Sequence, residues 1–194
     1  MEPQRLSETI AAAKQGRHDA FEALLEAYGQ RLYGYFYRAT ANPHDAEDLL
    51  SEISLRLVRT LRNYDERGRF EPWLFRIAAN MIRDRIRRLR TAATPVSLAT
   101  ETETGDSLAD QVADEDVSPA DAAMMAAEAS AELKEALARL DATTRDMILL
   151  RHFGQMSFRE IAEVYKCPLG TVLARVHRGL KTLRRLMGAE DAGE

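Results

Sequence analysis

The sequence predicts an all-α chain: two small helical domains joined by a flexible acidic linker, the second domain a helix-turn-helix. Three observations predict it. Apolar residues recur at three- and four-residue steps, and such helical patterns dominate the chain. Charge falls in blocks: residues 1–90 carry 16 Lys+Arg and 13 Asp+Glu, residues 91–132 carry none and 10, and residues 133–194 carry 11 and 8. Finally, Met156 to Met187 reads as two short helices joined by a tight turn. The domains are therefore expected at 1–90 and 119–194, with the linker at 91–118.

Composition narrows the class. The 194 residues are 45% hydrophobic and 30% charged, ordinary for a soluble globular protein. No run approaches the roughly 18 apolar residues of a membrane span. The start, MEPQRLSET, lacks the apolar core of a signal peptide. Cys167 is the single cysteine, which excludes an internal disulfide framework. A cytoplasmic protein with no membrane insertion is the expectation.

In chain order, Leu6 to Gln15 predicts a short helix capped near Ser7 and interrupted by Gly16. Asp19 to Thr40 predicts a long one, with Phe21, Leu24, Leu25, Tyr28, Leu32, Tyr35 and Phe36 on its core side. Asn42 and Pro43 open the next helix as N-cap and first turn. It runs to about Arg62, with Ala46, Leu49, Leu50, Ile53, Leu57 and Leu61 inward. Its other side carries Asp48, Ser51, Glu52, Leu55, Arg59 and Arg62. Leu55 is an apolar side chain amid polar ones, either incidental or a partner contact.

Asn63 to Pro72 predicts a loop holding Tyr64 and Phe70 beside Arg67 and Arg69. Such a mixture suits an unstacked base or an ordinary solvated connector. Glu71 to Arg90 predicts a helix with Leu74, Ile77, Ala78, Met81, Ile82, Ile86 and Leu89 buried and Trp73 at its entrance. Arg76, Asn80, Arg83, Arg87 and Arg90 follow at steps of four and three, so they share one face. Arginine forks bind phosphates and an asparagine reads a base edge. A solvated basic face has the same pattern.

Thr91 to Pro119 has almost no large apolar side chains and cannot offset its ordering entropy, hence a linker. Asp121 to Leu140 predicts helix again. Asp141 or Thr143 caps the next one, which buries Met147, Ile148, Leu149 and Phe153 and ends at Gly154. Ser157 and Glu160 then form an S-x-x-E capping box. Phe158, Ile161, Ala162 and Val164 face inward, and Tyr165 to Pro168 makes the turn. The second helix of this pair places Val172, Val176, Leu180, Leu183 and Met187 on one stripe. Arg178, Lys181 and Arg185 point away, Arg175 and His177 flank them, and no carboxylate lies between Pro168 and Met187. This is the layout of a helix that enters the major groove, or of an amphipathic hairpin with a solvated basic face. Gly188 to Glu194 is expected to fray.

No catalytic constellation emerges. His18, His44, His152 and His177 sit in four different elements. There is no Gly-rich phosphate loop, C-x-x-C or G-x-S-x-G. Neither cofactor nor metal is expected, and no enzyme activity. Cys167, in the turn, reads as a small apolar side chain rather than a redox sensor.

These pieces together resemble a bacterial RNA polymerase sigma factor of the extracytoplasmic-function (ECF) type. DAEDLLSEISLRLVR (Asp45 to Arg59) is similar to the helix that docks on the polymerase clamp. FEPWLFRIAANMIRDRIRR (Phe70 to Arg88) is similar to the minus-ten reader, and EIAEVYKCPLGTVLARVHRGLKTLR (Glu160 to Arg184) to the minus-thirty-five reader. The resemblance implies core RNA polymerase, promoter DNA (duplex and single-stranded non-template strand) and an anti-sigma factor as partners, in a stress-type transcription response. It implies polymerase contacts at Asp48, Ser51, Glu52, Leu55 and Arg59. Minus-ten contacts are implied at Tyr64, Arg69, Phe70, Arg76, Asn80, Arg83, Arg87 and Arg90. Minus-thirty-five contacts are implied at Thr171, Arg175, His177, Arg178, Lys181 and Arg185. The chain departs from the family pattern at Ser51 (usually Gln), Ser54 (an aromatic), Lys166 (Gly), Leu173 (basic or polar) and Ala174 (Ser). A regulator binding duplex DNA by itself and a sigma-like adaptor that sequesters a partner share parts of the same pattern.

Overall fold

The structure, a computed structural model, describes residues 2–65, 67–93 and 131–187, with the backbone alone for 89–93 and 131. Among them are eight α-helices, one 3-10 turn and no strand. The expected linker from residue 94 on, the expected helix over 121–130 and the C-terminal tail lie outside the described residues. The chain divides into two compact units, Met1–Arg83 with Phe153–Gln155, and Asp84–His152 with Met156–Glu194.

In the first unit α1 spans Pro3–Lys14. It starts earlier than the Leu6 and Ser7 signal suggests. Pro3 stands in the first turn, where its fixed φ is preset for helix and its missing N–H costs nothing, and Ser7 lies inside the helix. Gly16, at φ 86°, takes the backbone out of the helix. Helix α2 spans His18–Thr40 and buries Leu24, Tyr28, Leu32, Tyr35 and Phe36. Asn42 Oδ1 then accepts the His44 N–H at 3.0 Å, which caps α3, Pro43–Thr60. Its last turn tightens into the 3-10 segment Leu61–Asn63, short of the continuous helix to Arg62 expected from the pattern. α3 turns Ala46, Leu49, Ile53 and Leu57 inward and packs on α2, as does α1.

Helix α4, Phe70–Ala93, closes this core with its part up to Arg83 and carries through the expected boundary at residue 90. Leu74, Phe75, Ala78, Ala79, Met81 and Ile82 are buried. Phe75 meets Tyr35 of α2 edge-on, with centroids 5.7 Å apart. Such a pair adds about 0.5–1.5 kcal/mol beyond its area. Arg31 of α2 pairs with Glu71 at 3.1 Å, its guanidinium 5.6 Å from the Phe75 ring. The pair is partly solvated and contributes little beyond fixing the α4 entrance.

The second unit contains α5 (Ala131–Ala138), α6 (Ala142–Phe153), α7 (Phe158–Tyr165) and α8 (Leu169–Leu186). Of the two candidate caps of α6, the structure selects Asp141, whose Oδ1 accepts the Thr144 N–H at 3.0 Å. Thr143 lies within the helix. The capping box of α7 forms in both directions: Ser157 N–H reaches Glu160 Oε2 at 2.8 Å and Glu160 N–H reaches Ser157 Oγ at 3.3 Å. The turn follows from Lys166, which adopts the left-handed conformation at φ 52°. Its neighbour Cys167 donates back to Ala162 O at 3.1 Å, closing α7 as a glycine normally would. Pro168 then stands just outside α8.

Two features lock this unit. Asp146 of α6, 2% exposed, accepts the hydroxyl of Tyr165 at the end of α7, so a buried carboxylate has a donor. Gly179 of α8 lies against α6: a Cβ there would come 2.5 Å from Thr144 Cγ2 and 2.8 Å from Ile148 Cδ1. Val172, Val176 and Leu183 are buried around it. These contacts predict opposite effects of two simple substitutions, read as urea unfolding free energies. Gly179→Ala forces the helices apart and destabilises the unit by about 1–3 kcal/mol, although alanine is the better helix former. Lys166→Gly relieves a strained φ and stabilises by about 1 kcal/mol.

Candidate nucleic-acid interface

Each α4 residue singled out above has a definite place. Since Leu74, Phe75, Ala78, Met81 and Ile82 face the core, the opposite side is left to polar groups. Arg76, Asn80, Arg87 and Arg88 are exposed there and Arg83 is half-buried. Arg87 pairs with Asp84 at 3.0 Å. Arg88 Nε donates to the Asp84 carbonyl at 3.4 Å. The Arg90 side chain is outside the described atoms. The result is a ridge of guanidinium groups with one amide among them and one acid beside them.

The loop before α4 differs from the expectation. The resemblance implies Tyr64 and Phe70 as minus-ten contacts, but both are core residues, 6% and 1% exposed, so the aromatics anchor the loop rather than stand open to a base. Their rings stand 5.6 Å apart, Phe70 lies 5.4 Å from Tyr28 of α2, and Tyr64 lies 4.5 Å from Trp73. The hydrophobic gain of burying these rings against α2 outweighs leaving them in solvent. Trp73, at the helix entrance as expected, is half-buried, with its ring against Tyr64 and Phe70. Between the two buried rings Asp65, Arg67, Gly68 and Arg69 are exposed. Arg67 pairs with Asp65 at 2.6 Å, and Gly68 takes φ 69°. Lys14 Nζ donates to the Tyr64 carbonyl at 2.7 Å and fixes the loop's start.

On α3 the outward residues Asp48, Ser51, Leu55 and Arg59 are exposed, and Glu52 is half-buried with Arg56 at 2.6 Å. Leu55 is 62% exposed, and Val58 is 49% exposed. Val58 was missed in the sequence, though it stands three residues from Leu55 and so on the same side. The two make one apolar patch between charged neighbours.

Helix α8 presents His177, Arg178, Lys181 and Arg185 to solvent, while Thr171 is half-buried. Arg178 Nε bonds the Ala174 carbonyl at 3.2 Å, which orients the guanidinium along the helix. Arg175 is different: it is half-buried and holds Asp141 at 3.3 Å. The α6 cap and α8 are thereby joined. Burial pushes the Asp141 carboxyl up, but the Thr144 hydrogen bonds and the Arg175 charge outweigh it, leaving the group below its ordinary range. Burial also raises the Cys167 thiol against the opposing charge of Arg175. A raised thiol carries little thiolate, the nucleophilic form. Among the described residues no cluster of three His, Cys, Asp or Glu is placed to hold a metal, and no helix is long and apolar enough to cross a membrane.

The Asp141 cap makes a pH prediction. A carboxyl depressed in the folded state stabilises above its unfolded pKa of about 3.9, and that contribution is lost as pH falls through the lower folded value. Asp141→Ala is expected to cost about 1 kcal/mol at pH 7. Its deficit against the parent chain should shrink in urea melts taken below about pH 4. A deficit independent of pH would mean the charge has no part in it.

The chain matches the family Sigma-70 region 2 over residues 24–91 and the family Sigma-70, region 4, over residues 130–183. It is 32% identical over 180 residues to the ECF RNA polymerase sigma factor SigW of Bacillus subtilis (strain 168), spanning 93% of this chain and 95% of that one. It is also 32% identical to the RNA polymerase sigma factor CarQ of Myxococcus xanthus, spanning 90% and 93%. In fold it is similar to the sigma factor RpoE of Bartonella quintana, solved with the anti-sigma factor NepR, at TM-score 0.62 and 20% identity over 88% of this chain and 98% of that one. CnrH, solved with the cytosolic domain of CnrY, gives TM-score 0.60 and 22% identity over 94% and 96%. The ridge on α4, the helix-turn-helix of α7 and α8 and these relationships converge: the chain belongs to the ECF family of RNA polymerase sigma factors, the transcription initiation factors that direct the polymerase to promoters.

Proposed function

We propose that residues 1–90 grip the minus-ten element and core polymerase, that residues 119–194 grip the minus-thirty-five element, and that 91–118 link them. The observation that carries this is a basic helix face in each unit, on α4 and on α8, each the reverse of a buried apolar stripe. Arg76, Arg83, Arg87 and Arg90 bind phosphates, and Asn80 stands beside the first unpaired bases. Arg69 and the exposed loop residues receive the flipped base of the non-template strand. Tyr64 and Phe70 act from beneath, as the floor that shapes the loop, and Trp73 supplies the accessible ring. Unstacking that base costs a few kcal/mol, which basic contacts and ring stacking offset.

In the second grip Arg178, Lys181 and Arg185 contact phosphates and base edges, with His177 and Thr171 beside them. Arg175 acts chiefly by holding Asp141. Asp48, Ser51, Glu52, Leu55 and Arg59, joined by Val58, dock on the polymerase clamp. An exposed apolar pair ringed by charges suits such an interface, with a dry centre and polar rim. The chain works in the cytoplasm and makes no bonds itself; the polymerase does the chemistry. An anti-sigma protein controls it, as the two similar solved complexes suggest.

Two variants separate the surfaces. Arg178→Ala should weaken promoter binding by about 1–3 kcal/mol and flatten its salt dependence by about one unit of slope, while core polymerase is still captured normally. Leu55→Asp should do the opposite, costing about 2 kcal/mol of polymerase binding in a pull-down while leaving the fold intact by circular dichroism. Loss of polymerase capture by Arg178→Ala would show that the surfaces are misassigned. Run-off transcription tests the whole reading: transcripts should start at a discrete site only when core polymerase and this chain are both present. Tight, specific promoter binding without polymerase would instead identify a self-sufficient regulator.

A further inference from the structure

The first turn and a half of α8 carries no charged side chain. Leu169, Gly170, Thr171, Val172, Leu173 and Ala174 precede the first arginine. Val172 is buried, so it does not face a groove. Leu169 is one of three large apolar residues described as exposed, at 37%, and Leu173 stands one turn further on, half-buried. Ala174 and Gly170 are exposed beside them. The next exposed side chains on this helix are His177 and Arg178, both able to donate.

In a helix-turn-helix the N-terminal residues of the second helix meet the base edges. Here those residues offer one hydroxyl, Thr171, and otherwise carbon. The largest apolar feature of the major groove is the C5-methyl of thymine; cytosine shows only a C5–H there, and the hydrogen-bonding groups of the base edges are donors and acceptors. A leucine set against an amide or carbonyl edge leaves that edge without its water and gains nothing in return. We propose that Leu169 and Leu173 are specificity residues that select thymine at the minus-thirty-five positions under the start of α8, by packing on its methyl group. This rests on the reading of α8 as the groove-entering helix. The polar half of the recognition, at His177 and Arg178, then reads the adjacent base pairs.

The test isolates the methyl group. A duplex library randomised across the minus-thirty-five element is selected with core polymerase and the full chain. Each thymine of the selected sequence is then replaced singly by deoxyuridine, which removes the methyl and leaves every hydrogen-bonding group in place. At one or two positions uridine should weaken holoenzyme binding roughly three- to tenfold, and this sensitivity should vanish in Leu169→Ala or Leu173→Ala. Leu169 is exposed, so its variant should fold normally. A selected element without thymine under the helix start overturns the proposal. So does indifference to uridine at every position while Arg178→Ala still weakens binding; the groove-entering reading then stands. If neither uridine nor Arg178→Ala matters, that reading falls as well. Equal weakening of methylated and uridine duplexes by the leucine variants would place these side chains against protein, and would also overturn the proposal.

Discussion

A helix that gives one stripe of side chains to a core has its rotation about its own axis fixed. Nearly everything about this chain follows from that constraint. In α4 the buried set Leu74, Phe75, Ala78, Met81 and Ile82 leaves Arg76, Asn80 and Arg87 no direction but outward. In α3 the burial of Ala46, Leu49, Ile53 and Leu57 does the same for Ser51, Leu55 and Arg59. In α8 the fixing is tightest, because Gly179 lets the backbone rest on Thr144 and Ile148. Interiors are close-packed and tolerate little rotation. The outward faces are thus consequences of the cores behind them.

This division also sorts what the sequence could disclose. Periodicity and capping are local, so Asn42, the Ser157–Glu160 box and the stripes of α2, α3, α4 and α8 were legible. What escaped depends on partners distant in the chain. Tyr64 and Phe70 look like loop residues until Tyr28, from α2, is brought beside them. Arg175 looks like one more basic side chain until Asp141, 34 residues away, takes it. Gly179 is worse than silent: within a helix it reads as a weakness, and only the neighbouring α6 gives it a purpose. Val58 differs from these: its spacing from Leu55 already places it on the same face.

The two basic faces solve different electrostatic problems. On α4 the guanidinium row is interrupted by Asp84, which holds Arg87 in place. Preset forks lose less entropy on meeting phosphate than mobile ones. On α8 no acid lies on the helix itself, and the restraint comes from Asp141 at the head of α6. Arg175 is thereby spent on architecture, and the outward charge passes to Arg178, Lys181 and Arg185. A surface count of basic residues would overstate what is available to DNA, and burial corrects it.

The pinned loop before α4 has one more consequence. Its two ends are anchored by rings 5.6 Å apart, and Lys14 ties its first carbonyl to α1. Noncovalent contacts thus hold the two ends of the loop together. Closing a short ring is an entropic expense, here met during folding. A pre-closed ring has fewer conformations left to lose. The same closure ties the loop to Tyr28, a core residue of the first unit, through its ring contact with Phe70.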